Sequence, residues 1–409
     1  MSEKLPEGWK EKAFYCVLET IVDYRGISVP KATNGIPLIT ARNIRDGYYD
    51  FSDQEYIDQN AYLNWVSRGK PQKNDILFTT EAPLGKACLF PEHGEYAIGQ
   101  RVISLRVKQD EMYSKFLLYF ILSTEGQTSI DFHATGTTAK GIKSSEVKKI
   151  KIRYPALSEQ QKIAHILSTW DDAIHCTQNV LENSKKQKKV LTQQLLTGRR
   201  RLPGFSEKWK PQCLKDCASL SSKSNTSNEN LPVISCSKHY GFVDSLKYFN
   251  KQVFSKNLNT YKVICKGEFG YPANHIEEGA IGYQNKYDKA LVSPIYVVFK
   301  LSNHVDPYFL YATLKTDAYR QKFNAATSAS VDRRGSLRWP EFSKIEVLLP
   351  PLPEQKAIAD VLTAADAVIQ QYEAKLANLQ AQKKALMQQL LTGKIRVKTD
   401  TDAAQHQLA

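Results

Sequence analysis

The stretch QQLLTG occupies residues 193–198, and the same six letters return at 388–393. Sliding the chain along itself by 195 positions extends the match backwards, without a gap, to Glu159-Gln160 and Glu354-Gln355. Between those limits 19 of 40 positions are identical, among them Ile163/Ile358, Asp171/Asp366 and the QKK triplets at 187–189 and 382–384. Identity of this kind at one fixed offset is an internal duplication.

Both copies carry a helical period. Ile163, Leu167, Trp170, Ile174, Thr177, Leu181, Ser184, Lys188, Leu191 and Leu195 step alternately by four and three. Ile358, Leu362, Ala365, Ile369, Tyr372, Leu376, Leu379, Lys383, Leu386 and Leu390 do the same. Five heptads with mostly apolar seam positions specify a coiled-coil helix in each copy. Pro155 with Ser158-Glu159, and Pro350-Pro351 with Pro353-Glu354, mark the helix starts, because proline stops the preceding strand and acidic groups suit a helix N-terminus. Gly198 and Gly393 supply left-handed C-caps. About 38 residues at about 1.5 Å each make two rods of roughly 55–60 Å. The seam lysines Lys188 and Lys383 stand at matched positions and read as register devices, which favours one intramolecular antiparallel pair over stripes packed on their own domains or on a second chain.

Each rod follows a block of similar length and different wording, residues 1–154 and 202–349. Faint correspondences survive between them: IPLITARNI (36–44) with LPVISCSKH (231–239), SKFLLYFIL (114–122) with PYFLYATLK (307–315), and VKKIKIRYP (147–155) with FSKIEVLLP (342–350). Short β-type runs at residues 76–80, 102–107, 263–265 and 295–299 lie between Gly, Pro and Asn turns, with a short helix expected near 113–124 or 307–323. The predicted fold class is therefore α+β: two globular domains separated by two long antiparallel coiled-coil helices, related by a pseudo-twofold internal repeat. The expected boundaries are 1–154, 155–201, 202–349 and 350–397, with a C-terminal tail at 398–409.

The chain of 409 residues carries 56 Lys and Arg against 42 Asp and Glu, a net charge of +14, which makes a polyanion the natural partner to test. The N-terminus MSEKLPEGWK lacks an apolar signal segment and no run approaches a membrane span, so a cytoplasmic protein is expected, with no membrane partner. Seven cysteines, an odd number, fit a reducing compartment better than a disulfide framework.

Catalytic signatures are missing. Gly85-Lys86 is followed by alanine and has no upstream glycine of a phosphate loop, and no G-x-G-x-x-G follows a strand, so the chain is not expected to hold a cofactor. The run Asp306-Pro307-Tyr308-Phe309 lacks the second proline of an amino-methyltransferase motif and reads as a helix start. Cys213, Cys217, Cys236 and Cys265 lack the paired spacing of a zinc site, the histidines are scattered, and no metal is expected.

What recurs where strands give way to loops is basic, amide and aromatic chemistry. The first block offers Arg42, Asn43, Thr80, Lys86 and Arg101, together with Thr137, Thr138, Lys140 and Lys143 in the loop GTTAKGIK (136–143). The second offers Lys238, His239, Tyr240, Tyr271 and Asn274, with Arg333, Arg334 and Arg338 in SVDRRGSLR (330–338). Arg, Asn and Lys donors match base edges in the major groove, and glycine-containing loops bring backbone amides to phosphates. The two loops at 136–143 and 330–338 are the strongest candidates, because both immediately precede the strand that leads into a rod.

The doubled plan, the helix starts ALSEQQKIAHIL and PLPEQKAIADVL, the QQLLTG ends, and the LPEGW and LPGF starts of each half resemble the specificity subunit of Type I restriction-modification enzymes over residues 5–397. The resemblance implies a non-catalytic subunit that binds double-stranded DNA. Its two target-recognition domains each read half of a split, asymmetric site, and the two spacer helices fix the gap. It implies two modification subunits as partners, which carry S-adenosylmethionine and methylate adenine, and restriction subunits that translocate and cleave. Readers addressing successive major grooves stand about one helical turn, roughly 34–36 Å, apart. The outward rod surfaces around Gln160 and Gln355 are the expected partner contacts. The alternative is a coiled-coil scaffold without sequence-specific DNA binding.

Overall fold

The computed structural model describes residues 5–137, 140–221, 223–328 and 335–398. Its contacts divide into two units, one formed by residues up to 179 together with residues from 374 on, the other by residues 180–373. Each unit thus holds one domain and half of each long helix. The helices span Leu157–Leu196 and Leu352–Leu390. Gly198 and Gly393, at φ of 67° and 71°, end them in the left-handed conformation that a Cβ disfavours.

In the first unit the domain sheet runs in the order Leu18–Asp23, Val102–Val107, Ile76–Thr79, Ala87–Leu89, all antiparallel. The second repeats it with Ala218–Ser221, Tyr296–Leu301, Phe269–Pro272 and Gly282–Tyr283. The run 76–79 is buried at every residue because the sheet is covered on both faces. Ile76 and Phe78 join the core facing the helices, while Leu77 joins a second core with Leu38, Ile39 and Ile57. The correspondences seen in sequence reappear as structure: Leu38 pairs in parallel with Ala97 as Val233 does with Leu291. Each domain also closes on itself, strand Lys10–Ala13 pairing with Lys151–Tyr154 and Lys210–Cys213 with Glu346–Leu349.

The expected single short helix is two helices in each domain, Ser114–Leu122 followed by Thr124–His133, and Pro307–Leu314 followed by Asp317–Ser328. Ser123 breaks the first pair, its hydroxyl capping Gly126 (3.1 Å), and a Cβ at Gly126 would collide with the Phe120 carbonyl. Asp306 caps the amide of Phe309 (2.9 Å), so the D-P-Y-F run is a helix start.

All twenty seam positions are buried or half-buried. Ile163 and Leu167 pack in one core with Leu390 and Leu391; Leu195 and Leu196 pack in the other with Ile358 and Leu362. Trp170, Ile174, Leu191, Leu376 and Leu386 are half-buried, and Leu181 and Ile369 are buried. Lys383 pairs with Asp171 in the first unit and Lys188 with Asp366 in the second, so the helix segments run antiparallel within each unit. Donors and acceptors both stand 195 apart, and the two pairs are one interaction written twice.

The helix starts are locked in the same doubled manner. Gln160 accepts from the Tyr113 amide (2.8 Å) and donates to the carbonyls of Glu111 (3.1 Å) and Pro155 (2.9 Å). Gln355 accepts from the Asp306 amide (2.8 Å) and donates to His304 (3.2 Å) and Pro350 (2.8 Å). Glu159 binds Arg396 through two 2.7 Å hydrogen bonds, and Glu354 binds Arg201 at 2.6 and 2.7 Å and the Trp209 indole at 3.1 Å. These Glu-Gln pairs are buried and hydrogen-bonded inside their units, so the outward surface expected around Gln160 and Gln355 does not include these side chains themselves.

Removing the Glu354 carboxylate strands the Arg201 guanidinium and the Trp209 N–H in a largely buried site. Glu354→Ala is expected to cost about 3 kcal/mol in urea unfolding, whereas a loss within experimental error contradicts the role given to the clamp. Glu111 is held down to about 2 from 4.5 by hydrogen bonds from Tyr154 and Lys12 and by the charge of Lys10. Its folded pKa is depressed, so its contribution is complete above pH 4.5 and fades as pH falls towards 2. Glu111→Gln should lower stability at pH 6 and leave it unchanged near pH 2.

Candidate nucleic-acid interface

The described ends of the two candidate loops, residues 140–143 and 335–338, are brought to equivalent places in their domains. The amide of Ile142 donates to the Thr80 carbonyl (3.0 Å), and Gly141 forms a β-bridge with Glu81. The amide of Leu337, 195 positions later, donates to the Ala273 carbonyl (2.8 Å). Thr80 and Ala273 follow the matching sheet strands Ile76–Thr79 and Phe269–Pro272. Each domain therefore gathers the loop after its central strand and the loop before its last strand into one surface. The residue after each anchor is an exposed cation, Lys143 or Arg338, set in extended backbone at the N-cap of a one-turn helix.

Around the first anchor, the Thr80 amide donates to the Arg101 carbonyl (2.9 Å), and the exposed Arg101 guanidinium pairs with Glu81 at 2.8 Å. Thr137 and Lys140 are exposed on the adjoining loop, Lys140 pairing with Asp131 at 3.1 Å. Lys86 pairs with Asp46 at 2.7 Å, and Arg42 with Asp53 at 3.3 Å and with Glu55. These surface pairs are worth about 0–1 kcal/mol each, so a phosphate or base edge can displace the carboxylate at little cost. Lys143 has no such carboxylate among the described residues.

Around the second anchor, Lys238, His239 and Tyr240 form the exposed turn between strands Ile234–Ser237 and Gly241–Asp244. The Lys315 ammonium ties this turn to the loop after the central strand by donating to the carbonyls of Lys238 and Gly279, the latter at 2.9 Å. Burial lowers the Lys315 pKa. Asn274 is half-buried in that loop, which also brings His275, Glu277 and Glu278 within 4.8 Å of one another. Thr138, Arg333 and Arg334 lie outside the described residues.

Three candidates are corrected by their burial. Asn43 is 1% exposed, its amide donating to the carbonyls of Asp50 (3.1 Å) and Asp53 (2.8 Å) while its oxygen accepts from Thr40 (2.9 Å). It shapes the loop that displays Arg42. Thr80 is buried against Arg101, and Tyr271 is buried with its ring 4.5 Å from Phe342, which drives its phenol pKa well up. Residues at strand ends alternate between outside and inside, and composition does not reveal the phase.

The sequence reading missed Lys315, which nothing in its local pattern marks. It also missed Arg201 and Arg396, although these stand at the same offset of 195, just beyond the glycines where the match was ended. Among the described residues no helix is long and apolar enough to cross a membrane.

The Type I restriction modification DNA specificity domain matches this chain twice, at residues 30–183 and 206–381. The chain is 25% identical to the Type I restriction enzyme MjaVIII specificity subunit of Methanocaldococcus jannaschii, over 88% of this chain and 89% of that one. It is 24% identical to the EcoKI specificity subunit of Escherichia coli K12, over 96% of this chain and 89% of that one. The crystal structure of a Type I restriction-modification system S subunit from M. genitalium shares the fold, with a TM-score of 0.59 at 16% identity over 95% of this chain and 97% of that one. The two family matches cover most of the chain and one falls on each half of the duplication, so this protein belongs to the DNA specificity family of Type I restriction-modification systems, a family whose role is sequence-specific DNA recognition without catalysis.

Proposed function

We propose that each domain of this chain reads one half of a bipartite, asymmetric DNA site, and that the length of the helix pair sets the spacer between the halves. The observation that carries this reading is the doubled anchor, in which Ile142 and Leu337 hold equivalent loops against the strand ends and leave Lys143 and Arg338 exposed beside them. One geometry with different side chains around it is the arrangement of two readers with one mode of docking and two targets. Around the first anchor the readers are Arg42, Lys86, Arg101, Thr137, Lys140 and Lys143; around the second they are Lys238, His239, Tyr240, Asn274 and Arg338.

The chemistry is performed by partners. Two modification subunits carrying S-adenosylmethionine methylate adenine in each half-site, paying a few kcal/mol to flip the base, and restriction subunits complete the cleaving complex. The net charge of +14 supplies a salt-sensitive attraction to phosphate.

The test uses the chain assembled with its modification subunits and measures duplex binding by fluorescence anisotropy across a salt series. Lys143→Ala is expected to weaken binding to all sequences evenly and to reduce the salt slope by about 1, the signature of a lost phosphate contact. Arg101→Ala is expected to weaken the specific site by about 1–3 kcal/mol and to relax one half-site only. Affinity for the specific site unchanged by both variants contradicts the interface. Binding that does not depend on salt contradicts DNA reading itself and favours the scaffold.

A further inference from the structure

The two units differ in what fills the space beside their Lys–Asp pairs. In the first unit, Tyr119 projects from helix Ser114–Leu122, is buried, and donates its hydroxyl to Asp171 at 2.8 Å. Lys383 bonds the same carboxylate and lies 5.2 Å from the centre of the Tyr119 ring. The phenol is enclosed between an acceptor and a cation, an environment that suits a neutral aromatic ring with one donor.

The second unit has the same frame without the ring. The amides of Tyr113 and Asp306 both donate to the clamp glutamines, which aligns helix Ser114–Leu122 with helix Pro307–Leu314 and places Ala312 where Tyr119 stands. Asp366 and Lys188 pair as Asp171 and Lys383 do. Where the tyrosine is missing there is a cavity of about 350 Å³, lined by Ala312, Asp366 and the rings of Phe242, Tyr283, Tyr308 and Tyr311.

We propose that this cavity is a binding site for a phenol ring supplied by another molecule, with the ring among these aromatics and the hydroxyl donating to Asp366. The first unit shows in cis what the second accepts in trans. One Asp366 oxygen accepts from Lys188 and the other is left for a donor, which a phenol hydroxyl supplies and a purely aliphatic ligand does not. Lys286, which also lines the cavity, has its ammonium turned to the Phe242 carbonyl at 2.8 Å. The ring is either a free phenol or a tyrosine side chain of a partner subunit, and the two share one chemistry.

The probe is 4-methylphenol, the tyrosine side chain as a free molecule, titrated into the full-length chain by calorimetry and ligand-observed NMR. One saturable site is expected, with toluene, which lacks only the hydroxyl, binding at least about tenfold more weakly for the loss of a charge-assisted hydrogen bond. Ala312→Tyr, which supplies the ring in cis, should abolish the site while leaving the circular dichroism spectrum unchanged. Tyr119→Ala should open a second site and raise the stoichiometry to two. Adding the purified modification subunit displaces the probe if the ring comes from a tyrosine of that subunit, and leaves it bound if the ligand is a free phenol. Absence of saturable binding to the native chain, or binding that survives Ala312→Tyr, overturns the proposal.

Discussion

A buried carboxylate needs its charge met inside the protein, and this chain meets that need twice with one set of residues. Glu159 and Glu354 open the long helices in the interior, and each is answered by an arginine just past the end of the other helix, Arg396 or Arg201. The neighbouring glutamines, Gln160 and Gln355, satisfy backbone groups of the domain and of the preceding proline. An unanswered charge here costs several kcal/mol, and misplacing a helix by a single turn would strand all of these groups together. The clamp thus fixes where each helix begins, how it meets its antiparallel neighbour in that unit and how the domain sits on both.

That constraint explains the pattern of duplication. The helices retain 19 of 40 identical positions because both copies must satisfy the same clamp and the same Lys–Asp pairs. The domains are held to less: a sheet covered on both faces, two short helices and the anchor through Ile142 or Leu337. Around that frame the loops are free to differ. Arg101 with Glu81 in one domain, and the Lys238 to Tyr240 turn tied down by Lys315 in the other, are two solutions on one support. A family that specifies DNA targets needs such a division between a fixed frame and variable reading loops.

The long helices, their antiparallel pairing and the α+β domains were legible in the sequence because heptads, glycine caps and β-type runs are local signals that packing reinforces. The shared place before the last strand was also legible, and Ile142 and Leu337 are anchored there alike. Less legible was which side a residue at a strand end faces: Asn43, Thr80 and Tyr271 carry the right chemistry and point inward. The Glu-Gln dipeptides misled in the same direction, since polar residues at a helix start read as exposed until their partners, 47 and 49 positions away for the glutamines and 237 and 153 for the glutamates, are known. Lys315 follows the same logic, its role being set by two carbonyls that only the fold assembles.

The most direct measurement of the central claim is single-molecule sequencing of DNA from a host that lacks other methylases and expresses this chain with its modification subunit. The account predicts methyladenine in both halves of a split motif with a fixed spacer, lost when this chain is omitted. Methylation with no split motif, or a motif that persists without this chain, contradicts it.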